Sequence, residues 1–339
     1  MDNSFFIVSK ALDGNSPVTI TRLQICSWNI ISGDACLEIG IEIKPDILQT
    51  NQDYSVTFFA DWLTAGCSIV SLHDKFTEDD NVRFVFNETD FSSSPIDEHA
   101  HNGSRISFGG NSHRTLAVLP AKGVLLKDGS LNLSFKNKAQ RNESPYLRVL
   151  IKSKLKTFAM TKKGIAKNTY IFDIKVNERR NLPACFLDVI NSKSLTYCLI
   201  ENVFCLHAVP TSFEISFIDS TKLKNIRQLE KKALETYLPE INPLVKEDYI
   251  ITFSKDSDIN KASYSFFCIF SKETIGTSQI IFAIAMNMIC SLLFAIGAQR
   301  VYWSSQLPWY QQLPVEDVIA FLFLILIIVF FICRRIKSK

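Results

Sequence analysis

The strongest constraint on how this chain folds lies near its carboxyl end. Residues 278–298 read SQIIFAIAMNMICSLLFAIGA, 21 residues without a charge. As a helix rising 1.5 Å per residue they cover roughly 31 Å, the thickness of a bilayer's hydrocarbon core. A second stretch, residues 315–333, opens with Glu316 and Asp317 and runs uncharged from Val318. Its Leu, Ile and Phe would be apolar around the whole circumference of a helix, which no surface helix of a soluble domain tolerates. Both stretches are therefore expected to span a membrane. The hydrophobicity is local: the 339-residue chain is 47% hydrophobic but 21% charged, and its mean hydropathy of +0.11 is too low for a polytopic transporter.

Residues 299–314, QRVYWSSQLPWYQQLP, join the two spans. Tyr302, Trp303, Trp309 and Tyr310 suit a membrane–water interface, and Pro308 and Pro314 stop the helices, so a short aromatic extracytoplasmic loop is expected. The tail 334–339, RRIKSK, carries only positive charge. The excess of lysine and arginine places it in the cytoplasm, and two spans return the chain to the side on which it started. The amino-terminal portion is then cytoplasmic too, and the inner membrane of a cell is the expected location. The opening MDNSFFIVSKALDG lacks a basic segment followed by a long apolar one, so no signal peptide is expected.

Residues 1–272 read mainly as strands. Runs at 18–31, 36–43, 54–59, 82–86, 115–119 and 131–135 recur at the spacing of sandwiches and barrels. Leu131, Leu133 and Phe135 alternate with Asn132 and Ser134, the period of a half-buried strand. Further runs follow at 146–156, 169–176, 184–190, 197–207, 213–218, 249–253 and 264–270. One amphipathic helix is expected over 221–238, capped by Ser220 and closed by Pro239, with Leu223, Ile226, Leu229, Ala233 and Tyr237 on one face. The fold class is thus mainly β, sandwich-like, with a C-terminal two-span helical hairpin. A boundary near Pro145 or Gly164 divides the soluble part into modules 1–145 and 146–272, although one larger sandwich fits the same pattern.

Charge is unevenly placed. Residues 136–167 hold ten bases against Glu143 alone, a net +9 in a chain of net +3, whereas residues 74–98 are acidic. Lys152, Lys154 and Lys156 lie two apart, so on a strand they form one ladder, with Lys162 and Lys163 close behind. Three readings fit: lysines guarding a sheet edge, a phosphate contact for a nucleoprotein partner, or docking on the anionic cytoplasmic leaflet.

Motifs for chemistry are sparse. No GxxxxGK[ST], GxSxG or HExxH occurs, so a non-enzymatic protein without a cofactor is expected. Cys205 or Cys26 with His207 sketches a hydrolase pair, but Cys205 and His207 sit in an apolar strand that would bury them. His99, His101 and His113 beside Asp97 and Glu98 offer metal-ligand types, in a Ser-, Gly- and Asn-rich stretch, 91–112, that reads as an exposed loop. The nine cysteines are odd in number and form no CxxC, so no disulfide framework or zinc site is expected. Asn287 inside the first span must find a hydrogen-bond partner, either within the hairpin or, with Ser291, across a contact or pore between hairpins.

The layout of two spans at 278–298 and 315–333, a basic tail and a large soluble portion resembles the two-transmembrane effectors of bacterial anti-phage defence systems, including those of retrons. That resemblance implies an antiviral effector, a toxin of abortive infection, that perturbs the inner membrane when a restraining protein or nucleoprotein releases it. Membrane lipid and a second copy of the chain would be its other partners. Two alternatives are a non-enzymatic tethered scaffold and a membrane-bound enzyme without a recognisable motif.

Overall fold

The structure is a computed structural model, and it describes residues 3–12, 16–29, 35–63, 66–97, 102–109, 114–126, 128–153, 158–238, 247–257 and 261–303, with 318, 319, 321, 322 and 325. The chain begins with strands β1 (Asn3–Lys10), β2 (Thr19–Trp28), β3 (Cys36–Ile43), β4 (Asp53–Phe59) and β5 (Ser68–Ser71). A 3-10 turn, His73–Thr77, and helix α1 (Asp79–Phe86) precede β6 (Phe91–Pro95), β7 (Ser104–Phe108), β8 (Thr115–Val118), β9 (Lys122–Leu125) and β10 (Ser130–Lys136). Strands β11 (Glu143–Lys152), β12 (Met160–Lys163) and β13 (Lys167–Val176) lead to α2 (Ala184–Ser192). Then come β14 (Leu195–Tyr197), β15 (Leu199–Ile200), β16 (Val203–Pro210), β17 (Glu214–Ile218) and β18 (Leu223–Leu229). The chain closes with α3 (Lys231–Tyr237), β19 (Tyr249–Asp256), β20 (Tyr264–Glu273) and α4 (Thr277–Trp303).

The strands build a nine-stranded and an eleven-stranded sheet. Both are mixed. β1 lies parallel to β13 and antiparallel to β4, while β2 lies antiparallel to β3 and parallel to β16. Period-2 alternation turns one row of each strand inward: Leu37, Ile39, Ile41 and Ile43 of β3 join Ile7, Leu23, Phe58 and Leu131 in one core. The part of the chain that precedes α4 is mainly β, as expected.

Its division into modules 1–145 and 146–272 does not hold. Residues 1–164 and 168–272 form one compact unit, with 165–167 and 273–339 in a second. β11 runs straight through the expected boundary, and early and late strands pair within both sheets.

The helix expected over 221–238 is also corrected. Its first half is β18, which pairs with β19 from Leu223 opposite Ser254 to Leu229 opposite Tyr249, with a bulge between Leu223 and Asn225. The bulge lets a run spaced at three residues sit on a sheet edge. Asp219 rather than Ser220 shapes the preceding turn, its Oδ1 accepting from Thr221 N and Oγ1. Only residues 231–237 are helical. Conversely, 82–86 and 184–190, read as strands, lie in α1 and α2, and the loop expected at 91–112 contains the β6–β7 hairpin.

Among the described residues one helix, α4, is long and apolar enough to cross a membrane, over Gln279–Gln299. It continues to Trp303, so the loop expected at 299–314 opens as helix. Most of 315–333 and the tail 334–339 lie outside the described residues; Val318, Ile319, Phe321, Leu322 and Ile325 are helical and exposed.

Candidate functional site

Three places hold the candidate residues. On α4, Ile281, Phe282, Met288, Leu292 and Phe294 are all exposed, and only 11% of the apolar window is buried. The better-covered positions are Met286, Cys290, Leu293 and Gly297, spaced i, i+4, i+7 and i+11, one stripe of the helix. Asn287 and Ser291 lie one turn apart beside that stripe, and both are exposed. At the foot of α4 a hydrogen-bonded clasp holds a loop: Thr274 N donates to Ala166 O at 2.8 Å and Thr274 Oγ1 to Ile165 O at 2.7 Å.

The candidate lysines separate. Lys152, half-buried at the end of β11, stands opposite Cys36 of β3 and Ser68 of β5 in the larger sheet. Lys162 and Lys163 are exposed on β12 in the other sheet, opposite Thr169 and Asn168. Lys154 and Lys156 lie outside the described residues, as do His99, His101 and His113. Among the described residues no group of three His, Cys, Asp or Glu is arranged to hold a metal ion.

The second place was not legible in the sequence: a buried charge cluster on the outer face of β3. Glu38, 1% exposed, pairs with Arg148 of β11, 6% exposed. Arg148 Nε donates to Glu38 Oε1 and, at 2.9 Å, to Tyr237 Oη; the Tyr237 hydroxyl donates to Glu38 Oε1 as well. Trp28 Nε1 donates to Glu38 Oε2 at 2.9 Å. Arg148 Nη1 donates to Gln24 Oε1 and to Tyr146 Oη, each at 2.7 Å. Burial alone would lower the Arg148 pKa, but Glu38 and the two tyrosines outweigh it and hold the guanidinium above its ordinary range. Burial pushes the Tyr237 hydroxyl up. The arginine crosses Gly40, where a Cβ would stand 2.6 Å from Tyr146 Oη and 2.9 Å from Gln24 Oε1. No side chain larger than hydrogen fits without moving the cluster. Because each charge already has its partners and both are buried, the cluster ties β2, β3, β11 and α3 together instead of offering a reactive group.

The third place is inside the sandwich. Ser27 Oγ lies 2.7 Å from His207 Nδ1, and Cys205 Sγ lies 3.5 Å from His207 Nε2. These distances suit a nucleophile and its base, but Phe172, 4.9 Å away, and Phe270, 6.3 Å away, wall the ring in. Burial lowers the His207 pKa to about 3 and pushes the Cys205 thiol up, so neither an imidazolium nor a thiolate forms at neutral pH. Burial also raises Cys26. The eight described cysteines are free thiols.

This buried imidazole predicts an acid sensitivity. The unfolded chain takes up a proton at His207 near pH 6.5, the folded chain only near pH 3, so stability is complete above 6.5 and falls as pH drops through that window. Between pH 7 and pH 5 His207 should cost the fold about 2 kcal/mol. Denaturant titrations of the parent and of His207→Phe at the two pH values measure this; a parent slope equal to the variant's would refute it.

No protein-family model and no curated protein matches this sequence.

Proposed function

We propose that the protein is a membrane-anchored effector that perturbs or permeabilises the inner membrane once a restraining partner lets it go. The observation that carries this reading is α4, whose surface between Gln279 and Gln299 is mostly exposed and is apolar but for Asn287 and Ser291. Such a surface is stable in lipid and unstable in water. The covered stripe through Cys290 and Gly297 suits close packing by a second apolar helix, the role we assign to residues 315–333, with both chain ends in the cytoplasm. Asn287 and Ser291 are then left for a second copy, whose matching amides and hydroxyls could satisfy them and line a contact or pore. Lys152 and its neighbours in the basic segment suit a protein or nucleoprotein regulator.

Expressing the chain in bacteria should collapse the inner-membrane potential, read with a potential-sensitive dye, and removal of residues 278–339 should abolish the collapse. An unchanged potential would overturn the effector reading. Exchanging α4 and the following segment for an unrelated hairpin separates effector from tether: an effector loses its action, whereas a tethered scaffold keeps its function.

A further inference from the structure

We propose that the tip of the β12–β13 hairpin rests on anionic lipid headgroups of the same bilayer that α4 crosses, with Ile165 entering the interface between flanking lysines. This rests on the membrane reading of α4 and adds a lipid-binding site to it. The tip reads Lys162-Lys163-Gly164-Ile165-Ala166-Lys167, and every one of these residues is exposed. Ile165 is 89% exposed, the most exposed large hydrophobic residue described. An isoleucine so bare between lysines has no packing role in the sandwich, and its pattern is that of an interfacial anchor: apolar point, cationic flanks.

Position along the chain gives the occupant. The clasp from Thr274 to Ile165 and Ala166 fixes the tip five residues before the apolar span opens at Gln279. Gln279 N already donates to Gly276 O, so the chain is turning helical from Gly276. Two extended and three helical residues place Thr274 within about 11 Å of the hydrocarbon boundary. The headgroup layer is itself roughly 5–7 Å thick. The tip therefore sits within a Debye length of the lipid charges, where each lysine strengthens attachment to an anionic leaflet about fivefold.

The test uses the full chain in proteoliposomes carrying a trace of photoactivatable phosphatidylglycerol or, in parallel, photoactivatable phosphatidylcholine. After illumination, lipid adducts are mapped by mass spectrometry. Peptides covering 160–167 should be labelled by the anionic probe at least fivefold more than by the zwitterionic one. K162Q/K163Q should lower that yield at least fivefold while leaving adducts in 279–299 and the thermal midpoint unchanged. Equal labelling by the two probes, or adducts in 279–299 with none in 160–167, would overturn this site and leave the membrane reading standing. Absence of adducts from both segments would overturn the membrane reading, and the headgroup site with it.

Discussion

Replacing Arg148 by methionine should cost the fold about 3–5 kcal/mol, a large share of the roughly 5–15 kcal/mol that stabilises a typical domain. The loss comes from what remains behind. Glu38 would keep the Trp28 and Tyr237 hydrogen bonds but lose the positive charge of Arg148 while 1% exposed. A carboxylate stranded in that way must either be ionised in a medium that solvates it poorly or take up a proton at neutral pH, and both cost free energy. Gln24 Oε1 would also lose the guanidinium as a donor, keeping the Tyr146 hydroxyl. The double variant Arg148→Met, Glu38→Gln should recover much of the loss, because a neutral amide can accept from Trp28 Nε1 through its oxygen and donate from its NH2 to the Tyr237 hydroxyl oxygen. Urea titrations of the parent, both single variants and the double one measure this as a coupling energy. A loss below 1 kcal/mol in Arg148→Met would mean that the cluster is open to water, against the geometry.

That cluster also explains what the sequence could and could not reveal. β3 reads Cys-Leu-Glu-Ile-Gly-Ile-Glu-Ile, and its alternation turns Leu37, Ile39, Ile41 and Ile43 into the core. The same alternation marks Glu38 and Glu42 as solvent-facing, yet both are buried. Residues distant in sequence cover them. Tyr237 of α3 closes over Glu38, while Arg22 of β2 and Arg114, just before β8, flank Glu42. A period describes one strand and is blind to a later element that roofs its polar face. Gly40 was the single local trace, a glycine inside a strand marking a close approach. Residues 221–238 depart from the expected helix for a related reason: Leu223, Ile226 and Leu229 repeat at three, a spacing shared by a helix face and a bulged edge strand, and pairing with β19 decides between them. The apolar helix needed no such context. Length and apolar composition belong to one segment by itself, so a helix long and apolar enough to cross a membrane is legible without its neighbours.

Introducing arginine at both Ile289 and Leu292 should expel α4 from the bilayer. Ile289 is the middle residue of Gln279–Gln299, and Leu292 lies three further on; both are exposed on the helix. A central arginine costs about 2.5–3.5 kcal/mol on the insertion scale, so the pair costs about 6 kcal/mol, a factor of roughly 10,000 in the insertion equilibrium. The measurement is the fraction that resists alkaline carbonate extraction, made on a chain ending at Trp303 so that α4 alone decides. Arginines at Gln279 and Gln299 are the control, since side chains there reach the headgroups and the fraction should not change. Were α4 instead a helix standing in water, the central pair would improve solubility and the parent chain would never have resisted extraction. The full-length chain carries the argument one step further. If residues 315–333 form a second span, the full-length central double variant stays in the membrane by that span, while the shortened one leaves. If both leave, α4 is the sole anchor, and the hairpin, with the cytoplasmic placement of both chain ends that depends on it, is wrong.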